Sequence, residues 1–326
     1  MAPPILLAVP NVSEGRDAST IDEIGEAFLA GGAASEPPAT SGGAANRRSP
    51  GVRLLDTHSD PDHHRSVFTL AGRPIELGDS LLRGAAAAVE RIDVMRREFG
   101  AEAEVGEHPH VGTVDVVPLV YLDVGARGAA CAEALVVADR IASELDVPVF
   151  LYGELADDDS RSTRAALRRG GVRGLAERLA ARSGASPDFG PPRLHRSAGA
   201  TLVAAREPLV AFNLLLRAPA GVADARRIAG LIREGGEHGL PGVRAIGVAL
   251  SGGVGQVSMN VERPLELALA EVVEAVGRHA PLAGAELVGL APRAALEGFP
   301  EGLPLPGFDP ARHVIENALE LNALGS

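Results

Sequence analysis

The 326-residue chain has no lysine, no tryptophan and one cysteine, Cys131. The missing lysine leaves arginine as the whole basic complement, which reads as compositional bias rather than function. One cysteine excludes a disulfide framework and suits a reducing cytosol. Aromatics are only 3%, so the core must be built from Ala, Val and Leu. No run approaches the ~18 apolar residues of a membrane helix. The N-terminal MAPPILLAVPNVSEG has no basic n-region and no cleavage site. Positive charge is scarce: the net charge of −12 argues against general nucleic-acid or acidic-membrane binding. An anionic small substrate would therefore need a local basic patch. There is no GxGxxG after a strand, no GxxxxGK[ST] and no HExxH, so nucleotide and zincin readings are weak.

What is present is 46% hydrophobic residues arranged as alternating strands and helices, enough for a sizeable core and two subdomains. Strands are expected at 3–11, 52–58, 65–72, 113–122 and 147–152. Helices are expected at 20–30 (capped by Ser19 or Thr20), 76–98, 128–145 and 160–182. Residues 31–51, rich in Gly, Pro, Ala and Ser, read as a disordered surface insertion. The second half begins near 200, with strands at TLVAA and 209–216 and a helix at 222–235. A strand pair follows around SGGV (251–254), then a helix at 264–279 and a strand at 285–292. The second half shows the order β-α-β-β-α-β, and the first 122 residues show the same order. The fold class expected is α/β (α+β): two ferredoxin-like subdomains, 1–208 and 209–326, with mainly antiparallel sheets carrying helices on one face.

Three stretches carry chemistry. VGEHPHVGTVDVVP (105–118) places Glu107, His108, His110 and Asp115 together, and Pro109 holds His108 extended. A histidine near acids is the usual way to poise a base near neutral pH; an exposed polar loop is the plainer reading. THSDPDHHRS (57–66) gathers His58, Asp60, Asp62, His63, His64 and Arg65, which suits a metal site but equally a turn lending residues to a neighbouring site. SPDFGPPRLHRSAGAT (187–202) puts Arg193, His195 and Arg196 on an extended segment, fit to hold a carboxylate or simply to link the halves.

VPNVSEG (9–15), GEHPHVGTVDVVP (106–118), VPVFLYGE (147–154), PDFGP (187–191), LVAFNLLL (209–216), QVSMN (256–260) and LVGLAP (287–292) occur in the order found in the formiminotransferase domain, which the chain resembles over nearly its whole length. The resemblance implies two ferredoxin-like subdomains, a homodimer and an enzyme of histidine breakdown; the cytoplasmic location is expected from the single cysteine and the absence of a signal or membrane run. It also implies transfer of a formimino group from N-formiminoglutamate to N5 of tetrahydrofolate, the co-substrate, with no metal. The family's catalytic histidine falls on His108, and Glu107 and Asp115 are supporting carboxylates by spacing. The folate segment falls on Gly190, Pro191, Pro192, Arg193, Leu194, His195, Arg196, Ser197, Ala198 and Gly199. Asn11, His58, His64 and Arg65 are the remaining candidate substrate contacts. Where relatives place an acidic residue and an aromatic, this chain has His58 and Ala198. Formyl transfer from N-formylglutamate is therefore one alternative, a metal-dependent hydrolase using His58, Asp60, His63, His64 and His108 another, and a folate-binding protein without catalysis a third.

Overall fold

The computed structural model describes residues 3–30, 51–100, 109–157, 163–181 and 186–321. All of the proposed 31–51 insertion but Gly51, together with Glu107 and His108, lies outside the described residues. The chain divides into two compact units, Met1–Arg206 and Glu207–Ser326.

In the first unit, β1 (Leu6–Ala8) and β2 (Asn11–Val12) are two halves of one strand, interrupted where Pro10 cannot donate to a ladder. Helix α1 (Ala18–Leu29) starts at Asp17, whose carboxylate accepts the Ser19 N–H at 3.1 Å, so the cap lies two residues before the expected Ser19. The hairpin β3 (Arg53–Asp60) and β4 (Arg65–Gly72) follows. The single helix expected at 76–98 is two, α2 (Glu76–Arg91) and α3 (Val94–Phe99). Ile92 turns extended, and Asp93 caps a new start by accepting the Arg96 N–H at 2.8 Å. Then come β5 (Val114–Val120), α4 (Arg127–Leu145), β6 (Val149–Leu151), α5 (Arg164–Leu167), α6 (Gly171–Ala180) and β7 (Thr201–Arg206). The left-handed glycines Gly170 and Gly171 break the helix expected at 160–182.

The strand order across this sheet is β3-β4-(β1, β2)-β5-β7-β6. The first four positions are antiparallel and have the ferredoxin-like order, but β5, β7 and β6 run parallel. TLVAA, read as the opening strand of the second half, is β7 and lies in the first sheet between β5 and β6. Phe28, Phe68, Leu70, Leu81, Leu119 and Val137 pack between the sheet and its helices. A second cluster, with Val116, Phe150, Tyr152, Leu202, Leu167 and Leu175, occupies the opposite face under α5 and α6. This end of the sheet is covered on both sides, which accounts for its continuous apolar runs and corrects the one-face expectation.

The second unit follows the expected β-α-β-β-α-β order: β8 (Val210–Leu216), α7 (Val222–Ile232), β9 (Val243–Ala249), β10 (Gly255–Val261), α8 (Leu269–Gly277) and β11 (Leu282–Val288). Its sheet, β11-β8-β10-β9, is antiparallel throughout. Phe212, Leu214, Val257, Met259, Ile228 and Val272 form its core. Two short helices, α9 (Pro310–His313) and α10 (Ile315–Leu321), end it. Among the described residues no helix is long and apolar enough to cross a membrane.

Candidate functional site

The segment just after GEHP is tied into the sheet. Val111–Thr113 runs beside Ala198–Ala200. The Thr113 N–H donates to the Ala198 carbonyl at 2.8 Å, and the Ala200 N–H donates to the Val111 carbonyl at 3.0 Å. Gly112 and Gly199 face each other across this junction as a bridged pair. A Cβ on Gly112 would lie 2.7 Å from the Ala200 nitrogen and nearer still to two carbonyl oxygens. Gly199, at φ +70°, occupies the left-handed region and would press its Cβ to 3.0 Å from the Gly112 Cα. Further bonds complete the knot: the Ser13 hydroxyl to the Gly112 carbonyl at 2.7 Å, the Thr113 hydroxyl to the Ile92 carbonyl at 3.1 Å, and the Met95 N–H to the Ser197 carbonyl at 3.2 Å. The segment after GEHP and the end of the 190–199 strip are thus held side by side by backbone bonds.

Within the 190–199 strip, His195 organises the turn. Its Nδ1 accepts the Ala198 N–H at 3.0 Å and the Ser197 N–H at 3.3 Å, so the ring carries its proton on Nε2. Burial lowers the His195 pKa, and Arg196 and Arg193 lower it further against the opposing pull of Asp146. Arg193 donates to Asp146 at 2.8 Å, but both side chains are exposed and such a pair contributes about 0–1 kcal/mol. Arg196, Pro192 and Gly190 are exposed, Pro191, Leu194 and Ser197 half-buried. Ala198 is fully buried and engaged through its backbone.

Asp115 lies in β5 with 1% of its surface exposed. Its Oδ1 accepts the Val111 N–H at 2.9 Å and the Arg168 Nε–H at 3.3 Å, and its Oδ2 pairs with Arg168 Nη2. Arg65, at the start of β4 opposite Asp60, also belongs to this region. Burial, followed by the like charge of Arg168, brings its guanidinium down to about 10, with Asp115 offsetting part of the shift.

The β3–β4 turn holds the second histidine group. Asp60 pairs with His63 Nδ1. Burial raises the Asp60 pKa, but the hydrogen bonds from His63 and the Asp62 N–H outweigh it and hold the carboxylate at about 2. His64, 7% exposed and at φ 50°, accepts the Gly15 N–H on Nδ1 at 3.1 Å. Glu14, missed by the sequence reading, is 3% exposed and lies 3.4 Å from His64 Nδ1. Its carboxylate accepts the Arg16 and Asp17 N–H groups at 2.9 and 3.0 Å and pairs with Arg97. Burial pushes Glu14 up, yet these bonds leave it below the usual carboxylate range. Asn11 is buried and donates to the Val9 carbonyl at 2.9 Å. His58 pairs through its strand register with Val67, which in turn pairs with Asn11, so His58 and Asn11 lie in one row. Among the described residues no group of three or more His, Cys, Asp or Glu is disposed to hold a metal ion. Cys131 is half-buried in α4, and burial pushes its thiol pKa up, away from a nucleophile's range.

Residues 5–206 match the family model described as "Formiminotransferase domain, N-terminal subdomain". The chain is 35% identical to a glutamate formimidoyltransferase of Streptococcus pyogenes serotype M1, across 97% of this chain and 98% of that protein. It is 31% identical to the protein of the same name from Thermoplasma acidophilum, across 96% of each. Against the formimidoyltransferase-cyclodeaminase of Sus scrofa it is 37% identical, with 88% of this chain aligned to 50% of that longer protein.

Proposed function

Because the chain belongs to the formiminotransferase family, we propose that it is a transferase moving a formimino group from N-formiminoglutamate to N5 of tetrahydrofolate. The products are glutamate and 5-formiminotetrahydrofolate. The observation that carries the reading is near-full-length similarity to two glutamate formimidoyltransferases. The pairing of the backbone after GEHP with the 195–200 strip supports it.

In this reaction N5 attacks the amidine carbon, giving a tetrahedral intermediate, and the bond from that carbon to the glutamate nitrogen then breaks. One proton leaves N5 and one reaches the departing nitrogen. His108 is the proposed catalytic residue for both transfers, a contribution of about 10²–10⁴-fold. No metal and no covalent enzyme intermediate is required, since holding two substrates together supplies much of the remaining acceleration. The strip Gly190–Gly199 is the proposed folate segment, with Arg193, His195 and Arg196 offering donors to carboxylates against a net negative chain. Asn11, His58, His64 and Arg65 are proposed to line the donor side. Glu107 and Asp115 are proposed supports, Asp115 through its grip on the Val111 N–H. The second unit is proposed as the C-terminal subdomain, and the enzyme as a cytoplasmic homodimer in histidine breakdown.

The test mixes protein, tetrahydrofolate and either N-formiminoglutamate or N-formylglutamate and follows 5-substituted folate by absorbance. Turnover with formiminoglutamate is expected. His108→Ala should lose about 10²–10⁴-fold in kcat with tetrahydrofolate Kd unchanged. Turnover with N-formylglutamate alone would reassign the donor, and turnover with neither would refute the reading.

A further inference from the structure

We propose that Arg168, through its ion pair with Asp115, is a positioning residue that holds the backbone after GEHP in register with the 195–200 strip. The inference rests on the transfer reading above but concerns a residue that none of the sequence motifs contains.

Val111 is tied on both sides. Its N–H donates to Asp115 Oδ1 at 2.9 Å, and its carbonyl accepts the Ala200 N–H at 3.0 Å. The orientation of the Asp115 carboxylate therefore sets the orientation of the Val111 peptide, and with it the register of the strip. What orients the carboxylate is the Arg168 fork. Nε reaches Oδ1 at 3.3 Å and Nη2 reaches Oδ2, a two-point contact that fixes the plane of the group. A lysine at position 168 could supply the charge but not the plane.

Arg168 is itself held. It follows α5 directly, its N–H donates to the Arg164 carbonyl at 2.8 Å, and Arg178 from α6 donates at 2.6 Å to the carbonyls of Leu167 and Arg169 on either side. Leu167 packs in the same cluster as Val111, Tyr152 and Ala200. Both partners are buried, Asp115 at 1% and Arg168 at 8% exposure. Buried ion pairs often stabilise no better than apolar replacements, so stability alone does not explain a pair here. Orientation of one peptide does.

The test compares Arg168→Gln, Arg168→Lys and the double variant Asp115→Asn/Arg168→Gln with wild type. The control is Val257→Ala, a core substitution in the second unit. Readouts are kcat and KM with formiminoglutamate, melting temperature, and hydrogen exchange of the Val111 amide. Arg168→Gln strands a buried carboxylate and is expected to lose about 30-fold in kcat with donor KM nearly unchanged. Its Val111 amide should exchange about 10-fold faster. Arg168→Lys should not rescue kcat. The double variant removes the stranded charge but also the fork, so its kcat should stay within about 3-fold of Arg168→Gln. Val257→Ala should lower the melting temperature and leave kcat alone. Wild-type kcat and Val111 protection in Arg168→Gln would overturn the proposal, as would a double variant or an Arg168→Lys enzyme with wild-type kcat, since either would make the effect one of charge alone. If Arg168→Gln does not fold, Arg168→Lys and the double variant decide in the same way. If the wild type transfers nothing, the functional reading fails on its own, and Val111 exchange still decides the role of Arg168.

Discussion

Gly112→Ala should separate the strip from the segment after GEHP without touching a titratable group. The added methyl would meet the Ala200 nitrogen at 2.7 Å and the carbonyl oxygens of Ala198 and Ala200 more closely, and backbone on every side leaves it nowhere to turn. Relief requires the two backbones to part by about 1 Å, which breaks the Thr113–Ala198 and Ala200–Val111 bonds now at 2.8 and 3.0 Å. Each broken buried bond costs about 1–3 kcal/mol, so the two together amount to about 2–6 kcal/mol. For a unit of this size each kcal/mol lowers Tm by about 2–4 °C, giving an expected drop of about 5–20 °C. A displacement of about 1 Å at the site should also cost about 10²-fold in kcat/KM. Calorimetry and the folate absorbance assay, both run at a temperature where the variant is folded, measure the two effects. Gly128→Ala is the control: nothing lies within 4 Å of the added methyl, and in α4 the change should stabilise by up to about 1 kcal/mol. A Gly112→Ala enzyme with wild-type Tm and kcat/KM would refute the close approach and the argument built on it.

Two pH effects follow from the same structure. His195 has its pKa lowered in the folded state, so the unfolded chain binds that proton more readily, and stability is complete above about 6.5 and declines as pH falls below it. Protonation also removes the acceptor that holds the Ser197 and Ala198 N–H groups, so tetrahydrofolate Kd should rise as pH falls through the lowered His195 value in wild type but not in His195→Asn. Asp60, held at about 2 against an unfolded value near 4, should contribute about 2 kcal/mol that is present above pH 4 and lost between pH 4 and 2. Asp60→Asn should flatten that part of the stability curve in urea titrations; an unchanged curve would show that the His63 pair does not hold the carboxylate down.

The second unit was legible because its strands alternate and its turns are marked by Gly and Pro; local pattern and sheet order coincide there. The first unit was harder at its parallel end. VDVVPLV, VFL and TLVAAR are continuous apolar runs, the mark of strands buried on both faces, but nothing local assigns TLVAAR to the earlier sheet. The break at Ile92–Asp93 had a readable signal, an Asp in capping position, that helical periodicity across 76–98 overrode. Among candidate residues, the juxtaposition of the stretch after GEHP with the 195–200 strip depends on pairing far apart in sequence. Glu14 and Arg168 were missed for the same reason. Glu14 looks like an ordinary residue before a helix until Arg97 meets it, and Arg168 is one of many arginines until Asp115 is placed opposite. His63 and His64, dense enough to suggest ligands, instead bond Asp60 and the Gly15 N–H.

The insertion of β7 between β5 and β6 dictates an order of assembly on the ribosome. The short strand β6 takes its ladder from β7, which emerges only after α5, α6 and the whole 190–199 strip have been synthesised. Until then, the early strands can collapse into their own antiparallel half, while β6 waits without its sheet neighbour. Closing that seam also draws the strip against Val111, because β7 continues directly from the strip.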